Sequence, residues 1–232
     1  MDIKANIESI RERAAQALSG TGMTIDDITI IAVTKTINAE MIQKAVDLGI
    51  TDIGENRVQE LTKKFGVVNG DVRWHMIGSL QRNKVKHIID KTALIHSLDS
   101  LRLAVEINKQ AANINRIMPV LVQVNIGKEA TKSGIYPEGI NELIDGLTGF
   151  DNIKVLGLMA IPPNIPDKEQ VRPFFAEMRN IFERLQKQRY PNIEMRYLSM
   201  GMTHDFEIAL QEGANIIRIG TGLFGTRKKE ER

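Results

Sequence analysis

Short apolar runs alternate with amphipathic segments along almost the whole chain. The first run, residues 28–34, is nearly continuous and rich in β-branched side chains, which is typical of a strand buried on both faces. Eight strands are predicted in all, over residues 28–34, 52–54, 72–77, 94–97, 118–125, 153–159, 195–199 and 216–219. The periodicity between them predicts helices over residues 39–48, 58–65, 80–89, 100–113, 137–147, 168–189 and 204–212.

Strands that alternate with helices in this way predict repeated βα units and a parallel sheet. We expect an α/β protein, a single (β/α)8 TIM barrel, with the doubly wound open sheet as the competing architecture. No shift in composition marks a boundary, so residues 1–232 are predicted to form one domain. An extra N-terminal helix is expected to pack on the barrel through an apolar face made of Ile3, Ile7, Ile10, Ala14, Ala17 and Leu18.

Charge and composition narrow the range of functions. The 31 basic and 29 acidic residues give a net charge of +2, so no strong field draws the protein to nucleic acid or to an acidic membrane. No apolar stretch approaches the roughly 20 residues of a membrane-spanning helix. The absence of cysteine excludes disulfides and thiolate chemistry and suits a cytoplasmic protein. The four histidines have no paired metal-ligand spacing, so no metal is expected.

Lys35 directly follows the first apolar run, where a buried strand should pass into a loop. In parallel sheets the functional groups gather at the carboxyl ends of strands, because the loops there vary while the scaffold holds them in place. Lys35 therefore has the position of a functional amine. The ordinary explanation is that lysine often ends a strand because its charge reaches water there.

The last two predicted strands both end in glycine and hydroxyl residues. Residues 199–205 read Ser-Met-Gly-Met-Thr-His-Asp, and residues 220–225 read Gly-Thr-Gly-Leu-Phe-Gly. In a barrel the loops after strands seven and eight are neighbours and frequently form one phosphate site, although helix capping also explains the first of these turns. The second turn also matches the letters of a dinucleotide fingerprint, but the helix, strand and acid which that motif requires do not follow it.

Arg218 alternates with apolar residues in the last strand and is expected to point inward. A buried guanidinium needs a carboxylate, a phosphate or a ring nitrogen as its partner. A structural ion pair explains the residue as well as a ligand does at this point.

Eight segments of the chain, taken in order, resemble the YggS/PROSC family of pyridoxal phosphate homeostasis proteins. Each motif is weak alone, but the ordered set spans nearly the whole sequence. The segments are 32–35, 54–60, 74–84, 124–126, 132–134, 157–162, 199–205 and 218–225. The resemblance implies a barrel similar to the alanine racemase N-terminal domain, the fold type III of pyridoxal phosphate (PLP) proteins.

By this resemblance PLP is the cofactor and Lys35 holds it as a Schiff base. Ser199, Gly201, Gly220 and Thr221 would bind its phosphate, and Arg218 would face the pyridine nitrogen. Further residues would surround the ring and the mouth of the site: Asn56, His75 and Met159. Two explanations of Lys132 remain: it is a second aldehyde-reactive lysine, or it is only a charged residue on a loop.

The same resemblance implies a monomeric, cytoplasmic protein that carries or buffers PLP and maintains PLP and amino-acid homeostasis, with PLP-dependent apoenzymes as candidate partners. No catalytic residue is assigned, because racemases of this fold take a second base, a tyrosine, from an additional domain. The tyrosines here, Tyr136, Tyr190 and Tyr197, have no matching context. A weak PLP-dependent racemase using Lys35 is the alternative, and an enzyme acting on sugar or nucleotide phosphates without a bound cofactor is a third reading.

Overall fold

The computed structural model describes residues 2–225, so residues 1 and 226–232 of the predicted domain lie outside the described part. Eight parallel strands close into a barrel in chain order, with β8 pairing to β1. They are β1 Thr29–Val33, β2 Asp52–Glu55, β3 Arg73–Met76, β4 Leu94–Leu98, β5 Met118–Val124, β6 Ile153–Ala160, β7 Ile193–Met202 and β8 Ile216–Ile219. The predicted barrel is confirmed, and the open-sheet alternative is wrong.

Eight α-helices accompany the strands between residues 2 and 225. They are α1 Ile3–Ala17, α2 Ala39–Asp47, α3 Val58–Phe65, α4 Leu101–Ala112, α5 Ile140–Leu147, α6 Arg172–Gln186, α7 Phe206–Gln211 and α8 Thr221–Phe224. Short 3-10 helices precede β1, α5 and α6, at Ile25–Asp27, Pro137–Gly139 and Lys168–Val171. The sequence pattern did not predict α8, because four residues are too few to establish a helical period.

The helix predicted over residues 80–89 is wrong. This segment instead forms a 3-10 helix over Arg82–His87, and Gln81 before it has an extended backbone. Val85 is the one buried residue within the 3-10 helix, so the segment has no apolar face that would stabilise an α-helix by packing. The wider apolar pattern arises from Leu80, Ile88 and Ile89, which are buried on either side of it.

The extra N-terminal helix is confirmed and covers the outside of the barrel at its closing strand. Its predicted apolar face is buried in one cluster with residues of α7, β8 and α8. Asn6 Nδ2 donates to the carbonyl of Leu223 at 2.9 Å, and Arg13 pairs with Glu207 while lying over the ring of Phe206. Because α8 is only four residues long, α1 supplies the apolar cover that a longer eighth helix would give.

The barrel interior contains one apolar cluster from five different strands, formed by Ile31, Leu94, Leu121, Met159 and Ile216. Side chains two residues apart on a strand point the same way, so Arg218 follows Ile216 into the interior and His96 follows Leu94. The interior is therefore apolar in one layer and polar in the next. No helix between residues 2 and 225 has the length and apolar character needed to cross a membrane.

Candidate functional site

A cavity of about 290 Å³ opens at the carboxyl ends of the strands. Its walls come from the ends of β1, β2, β3, β6, β7 and β8 and from the loops that follow them. The lining residues are Val33, Lys35, Asn56, Ile77, Ile161, Met202, Thr203, His204, Arg218, Gly220 and Thr221. Five of the nine predicted site residues are therefore brought together here, namely Lys35, Asn56, Arg218, Gly220 and Thr221.

Lys35 is half-buried and reaches the cavity from the turn after β1. Among residues 2–225 no carboxylate lies within ion-pair distance of its amine; the lysine that the neighbouring acids bind is Lys64. Asn56, on the next strand end, has an amide oxygen that is buried without a hydrogen-bond partner in the described part of the chain. The cavity thus presents an uncommitted amine beside an unsatisfied acceptor.

A buried polar cluster fixes the turn that carries Lys35. Lys64 Nζ donates to the Thr34 carbonyl at 2.8 Å and to Glu55 Oε1 at 2.6 Å, and it also pairs with Glu60 at 3.0 Å. The Thr34 hydroxyl donates to Glu55 Oε1 at 2.6 Å, and the Thr36 N–H donates to Glu60 at 2.7 Å. Thr36 has a φ of 63°, a left-handed backbone that a threonine rarely adopts unless neighbouring contacts impose it.

The pKa values of the two carboxylates in this cluster are shifted in opposite directions. Burial raises the pKa of Glu55 above its ordinary value, despite the hydrogen bonds from Lys64 and Thr34 that oppose the shift. Burial acts in the same sense on Glu60, but the hydrogen bonds from Thr36 and Lys64 outweigh it and lower its pKa. Lys64 therefore neutralises the acids around the turn, and the Lys35 amine remains free for a ligand.

The loops after β7 and β8 meet on the other side of the cavity. The Gly222 N–H donates to Thr203 Oγ1 at 3.1 Å and ties the two loops together. Asp205 holds the first loop by accepting from the Met202 N–H at 2.6 Å. Gly201 has a φ of 90°, and a Cβ there would lie 2.6 Å from that of Ala209, so only glycine allows α7 to pack this closely.

Arg218 is buried in the barrel interior at the floor of the cavity. Its Nη1 donates to Ser199 Oγ at 2.7 Å, and its Nη2 donates to the Ala160 carbonyl at 2.9 Å. Within residues 2–225 it has no carboxylate at ion-pair distance, so the structural ion pair that was the alternative explanation of this residue is absent there. Burial lowers the pKa of Arg218 to about 10, and Asp205 opposes the shift from a distance.

Four predicted site residues do not line the cavity. Met159 belongs to the apolar interior cluster, and Gly201 shapes the loop behind the cavity wall. His75 and Ser199 are buried in the interior and hydrogen-bond to other side chains. Their predicted contacts with a cofactor remain predictions.

Several lining residues were not predicted as site residues from the sequence. The segments that carry the family resemblance contain four of them, but no role at the site was predicted for these residues: Ile77, Ile161, Thr203 and His204. Lys132 is not among the lining residues, since its amine donates to the Pro162 carbonyl at 2.9 Å and pairs with Glu129 at 2.6 Å. In the described part of the chain, no group of three histidine, aspartate or glutamate side chains is placed to hold a metal ion.

The fold and the cavity agree with what comparison with known proteins finds. A family model described as the alanine racemase N-terminal domain matches residues 2–228. The chain therefore belongs to that family. The alanine racemase of Clostridium difficile 630 has the same fold, with a TM-score of 0.68 and 17% identity, covering 98% of this chain and 57% of that one.

Within the family, the chain belongs with the pyridoxal phosphate homeostasis proteins. The protein of that name from Aquifex aeolicus (strain VF5) is 43% identical over 229 residues, covering 98% of this chain and 100% of that protein. PipY of Synechococcus elongatus PCC7942, solved with PLP bound, has a TM-score of 0.84 and 31% identity, covering 97% of this chain and 100% of that chain. The family resemblance predicted from the sequence is confirmed.

Proposed function

We propose that the protein binds PLP in the cavity at the carboxyl ends of the strands and carries or buffers it, thereby maintaining PLP and amino-acid homeostasis. The observation that carries the proposal is the pairing of a lysine amine and a buried guanidinium, both without a carboxylate partner among residues 2–225, on the walls of one cavity. Relatives named for PLP homeostasis and a PLP-bound neighbour with the same fold support it.

The residues present fit this cofactor. The cavity volume of about 290 Å³ is close to the lower end, roughly 300 Å³, of small-molecule sites. Lys35 would hold the cofactor as a Schiff base, for which bound PLP would supply the aldehyde. Gly220 and Thr221 would bind the phosphate from the cavity wall, and the buried Asn56 oxygen would accept a hydrogen bond from the ligand.

The remaining predicted contacts belong to the same proposal. Ser199 and Gly201 would support the phosphate loop, and His75 and Met159 would lie around the ring. Arg218 would face the pyridine nitrogen. A guanidinium disfavours protonation of that nitrogen, which weakens the ring as an electron sink and limits carbanion chemistry.

The lining also explains why we assign no catalytic turnover. A racemase needs a second base across the substrate from the lysine, and no tyrosine, aspartate or glutamate between residues 2 and 225 is among those that line this cavity. Tyr190 hydrogen-bonds to Asp145 on the outer surface, Tyr136 is exposed, and Tyr197 packs against the interior cluster. The alternative is a weak racemase activity that uses Lys35 as its only base.

The proposal extends to the setting of the protein. Residues 1–232 would act as one domain in a cytoplasmic monomer that hands PLP to apoenzymes, with no nucleic-acid or membrane partner. A chain of near-neutral charge without cysteine is consistent with this setting.

The test is borohydride reduction of the purified protein after incubation with PLP, followed by absorption spectroscopy and peptide mass mapping. We expect a visible chromophore that reduction bleaches, and a phosphopyridoxyl mass on the peptide containing Lys35. Lys35→Ala should lose both, whereas Lys132→Ala, a loop lysine outside the lining, should keep both. A colourless wild-type protein that takes up no PLP would refute the proposal and favour a phosphate-substrate enzyme on the same barrel.

Racemisation of alanine and other amino acids by the PLP-loaded protein separates the carrier from the weak enzyme. We expect no turnover above that of free PLP. Turnover that depends on PLP and is lost in Lys35→Ala would establish the racemase alternative instead.

A further inference from the structure

Four buried side chains connect Arg218 to the opposite end of the barrel. Ser199 Oγ accepts from Arg218 at 2.7 Å and lies 3.1 Å from His96 Nδ1. His96 Nε2 lies 3.0 Å from His75 Nδ1, and His75 Nε2 lies 2.9 Å from Asp52 Oδ1. The four residues lie on β7, β4, β3 and β2, so the chain of contacts crosses the barrel interior and involves two of the protein's four histidines.

The far end of this chain is an ion pair at the amino end of the barrel. Asp52 is the first residue of β2 and is buried. It accepts from Arg73 Nε at 2.8 Å and Nη2 at 2.6 Å, and from the Thr51 hydroxyl at 2.8 Å. The Arg73 side chain is 60% exposed. The chain of hydrogen bonds therefore begins at the solvent-facing rim of the amino end of the barrel and ends at the floor of the cavity.

When both imidazole rings are neutral, the groups at the two ends fix the direction of every hydrogen bond. Arg218 can only donate, so Ser199 Oγ accepts and its own proton goes to His96 Nδ1. His96 then carries its proton on Nε2 and donates to His75 Nδ1. His75 in turn carries its proton on Nε2 and donates to the Asp52 carboxylate. Both rings are neutral in this arrangement, and each donor and acceptor is used once.

The competing arrangement places a second proton on His75. His75 would then donate to His96 Nε2, and His96 would donate from Nδ1 to Ser199 Oγ. The Ser199 hydroxyl proton would have no acceptor among the described residues, and a third charge would be buried between Asp52 and Arg218. Burial is the main cause that lowers the pKa of His96 well below its ordinary value, so His96 is neutral in both arrangements and the two differ in the charge on His75.

The hydrogen-bond chain also links Arg218 to a negative charge, which the guanidinium lacks in its immediate surroundings. The charged groups around it are Asp205 at a distance and, through the four linked side chains, the Asp52–Arg73 pair. Hydrogen bonds that all run in one direction polarise one another, and the effect is larger in a low-dielectric interior. The negative charge of Asp52 is therefore felt at the guanidinium through the neutral rings.

We propose that Asp52, His75, His96 and Ser199 form a polarised hydrogen-bond chain that orients Arg218 and moderates its positive charge at the cofactor ring. These are positioning residues, acting on the ligand through Arg218. The protonation pattern of the chain follows from the described contacts alone, whereas its effect on the cofactor rests on the proposed function.

The first test is nitrogen-15 NMR of the histidine side chains in the full-length protein, with and without PLP. His75→Gln and His96→Gln assign the two buried rings, and the exposed His87, which does not line the cavity, serves as the internal reference. We expect both buried rings to be neutral with the proton on Nε2 in the folded protein. An imidazolium signal from His75, or a proton on Nδ1 of His96, would overturn the proposal.

The second test measures coupling to the ligand through the pH dependence of the bound chromophore. Ser199→Ala removes the link to Arg218 and should lower the midpoint by about one pH unit, because the less compensated guanidinium disfavours the protonated form of the cofactor. Ser97→Ala is the matched control, since Ser97 is also buried on a barrel strand but its hydroxyl has no partner in the described residues. It should titrate as wild type does.

Failure of the proposed function can be distinguished from failure of this inference. If wild type shows no chromophore, the proposed function fails while the NMR pattern still decides the protonation of the chain. If wild type is coloured but Ser199→Ala titrates identically, the cofactor site stands and the chain has no influence on it, which refutes the inference.

Discussion

The two ends of β2 each bury a carboxylate, and the two acids differ in how many donors they meet. Asp52, at the amino end, accepts from His75, Arg73 and Thr51 through both of its oxygens. Glu55, at the carboxyl end, uses Oε1 for Lys64 and Thr34, while its Oε2 is buried without a partner among the described residues. Similar burial therefore yields one strongly stabilised anion and one strained anion.

The pKa values express this difference. Burial raises the pKa of both acids, but at Asp52 the hydrogen bonds from His75 and Arg73 outweigh it and hold the pKa well below the ordinary 3.8. At Glu55 burial prevails and the pKa is raised. The amino end of the barrel thus anchors a fixed negative charge, whereas the cavity end depends on one cation, Lys64, to hold the turn before Lys35.

Removing that cation should have the largest effect. Lys64→Met leaves Glu55 buried without its counter-charge and frees the Thr34 carbonyl, so we expect a loss of about 3–5 kcal/mol in the free energy of unfolding. Equilibrium urea unfolding at pH 7 measures it. Lys44→Met is the control, because Lys44 forms an exposed pair with Glu40 and should cost below about 0.5 kcal/mol. Equal, small losses in both variants would show that the cavity end does not depend on Lys64.

Asp52→Asn should have the second-largest effect, a loss of about 2 kcal/mol in the free energy of unfolding at pH 7. A carboxylate whose folded pKa is depressed contributes stability above its unfolded pKa, near 3.8, and loses it as the pH falls through the folded value. The difference between wild type and Asp52→Asn should therefore narrow on acidification below about pH 4. Asp90→Asn, which alters an exposed acid paired with Lys91, should change stability much less. A gap that stayed constant down to pH 2 would mean that Asp52 is not the stabilised anion described.

The sequence was sufficient for features that depend on local periodicity. All eight strands and the position of Lys35 at a strand end followed from apolar runs, and the inward direction of Arg218 followed from its alternation with isoleucines. The 3-10 helix at residues 82–87 did not, because burial of residues on both sides of it produced an apolar pattern without a helical face.

The polar chain through the interior could not be predicted in the same way. Ser199 and His96 are 103 residues apart, and His75 and His96 are 21 apart on neighbouring strands. Their contact depends on the register and tilt of the closed barrel, which no local pattern specifies. His75 and Ser199 were therefore assigned to the cofactor by family resemblance, while their hydrogen-bond partners were found only in the fold.

The smallest effect we predict is a change in how the free energy of unfolding varies with pH. Glu55 has a raised folded pKa, so its contribution to stability is present below its unfolded pKa of about 4.5 and is lost as the pH rises through the folded value. Glu55→Gln keeps an acceptor for Lys64 and Thr34 but cannot ionise. Between about pH 4 and pH 7 the variant should therefore gain stability relative to wild type, by less than the change for Asp52→Asn.

Glu60→Gln is the matched control for this slope, because Glu60 binds the same lysine but has a lowered pKa. Its contribution is lost as the pH falls, so the variant should lose stability relative to wild type over the same rise in pH. Urea unfolding of the three proteins at several pH values measures both slopes. Opposite slopes would mean that the number of donors, rather than proximity to Lys64, decides which carboxylate is strained. Slopes of the same sign would remove the contrast between the two ends of β2, because Glu55 would then behave as a stabilised anion like Asp52.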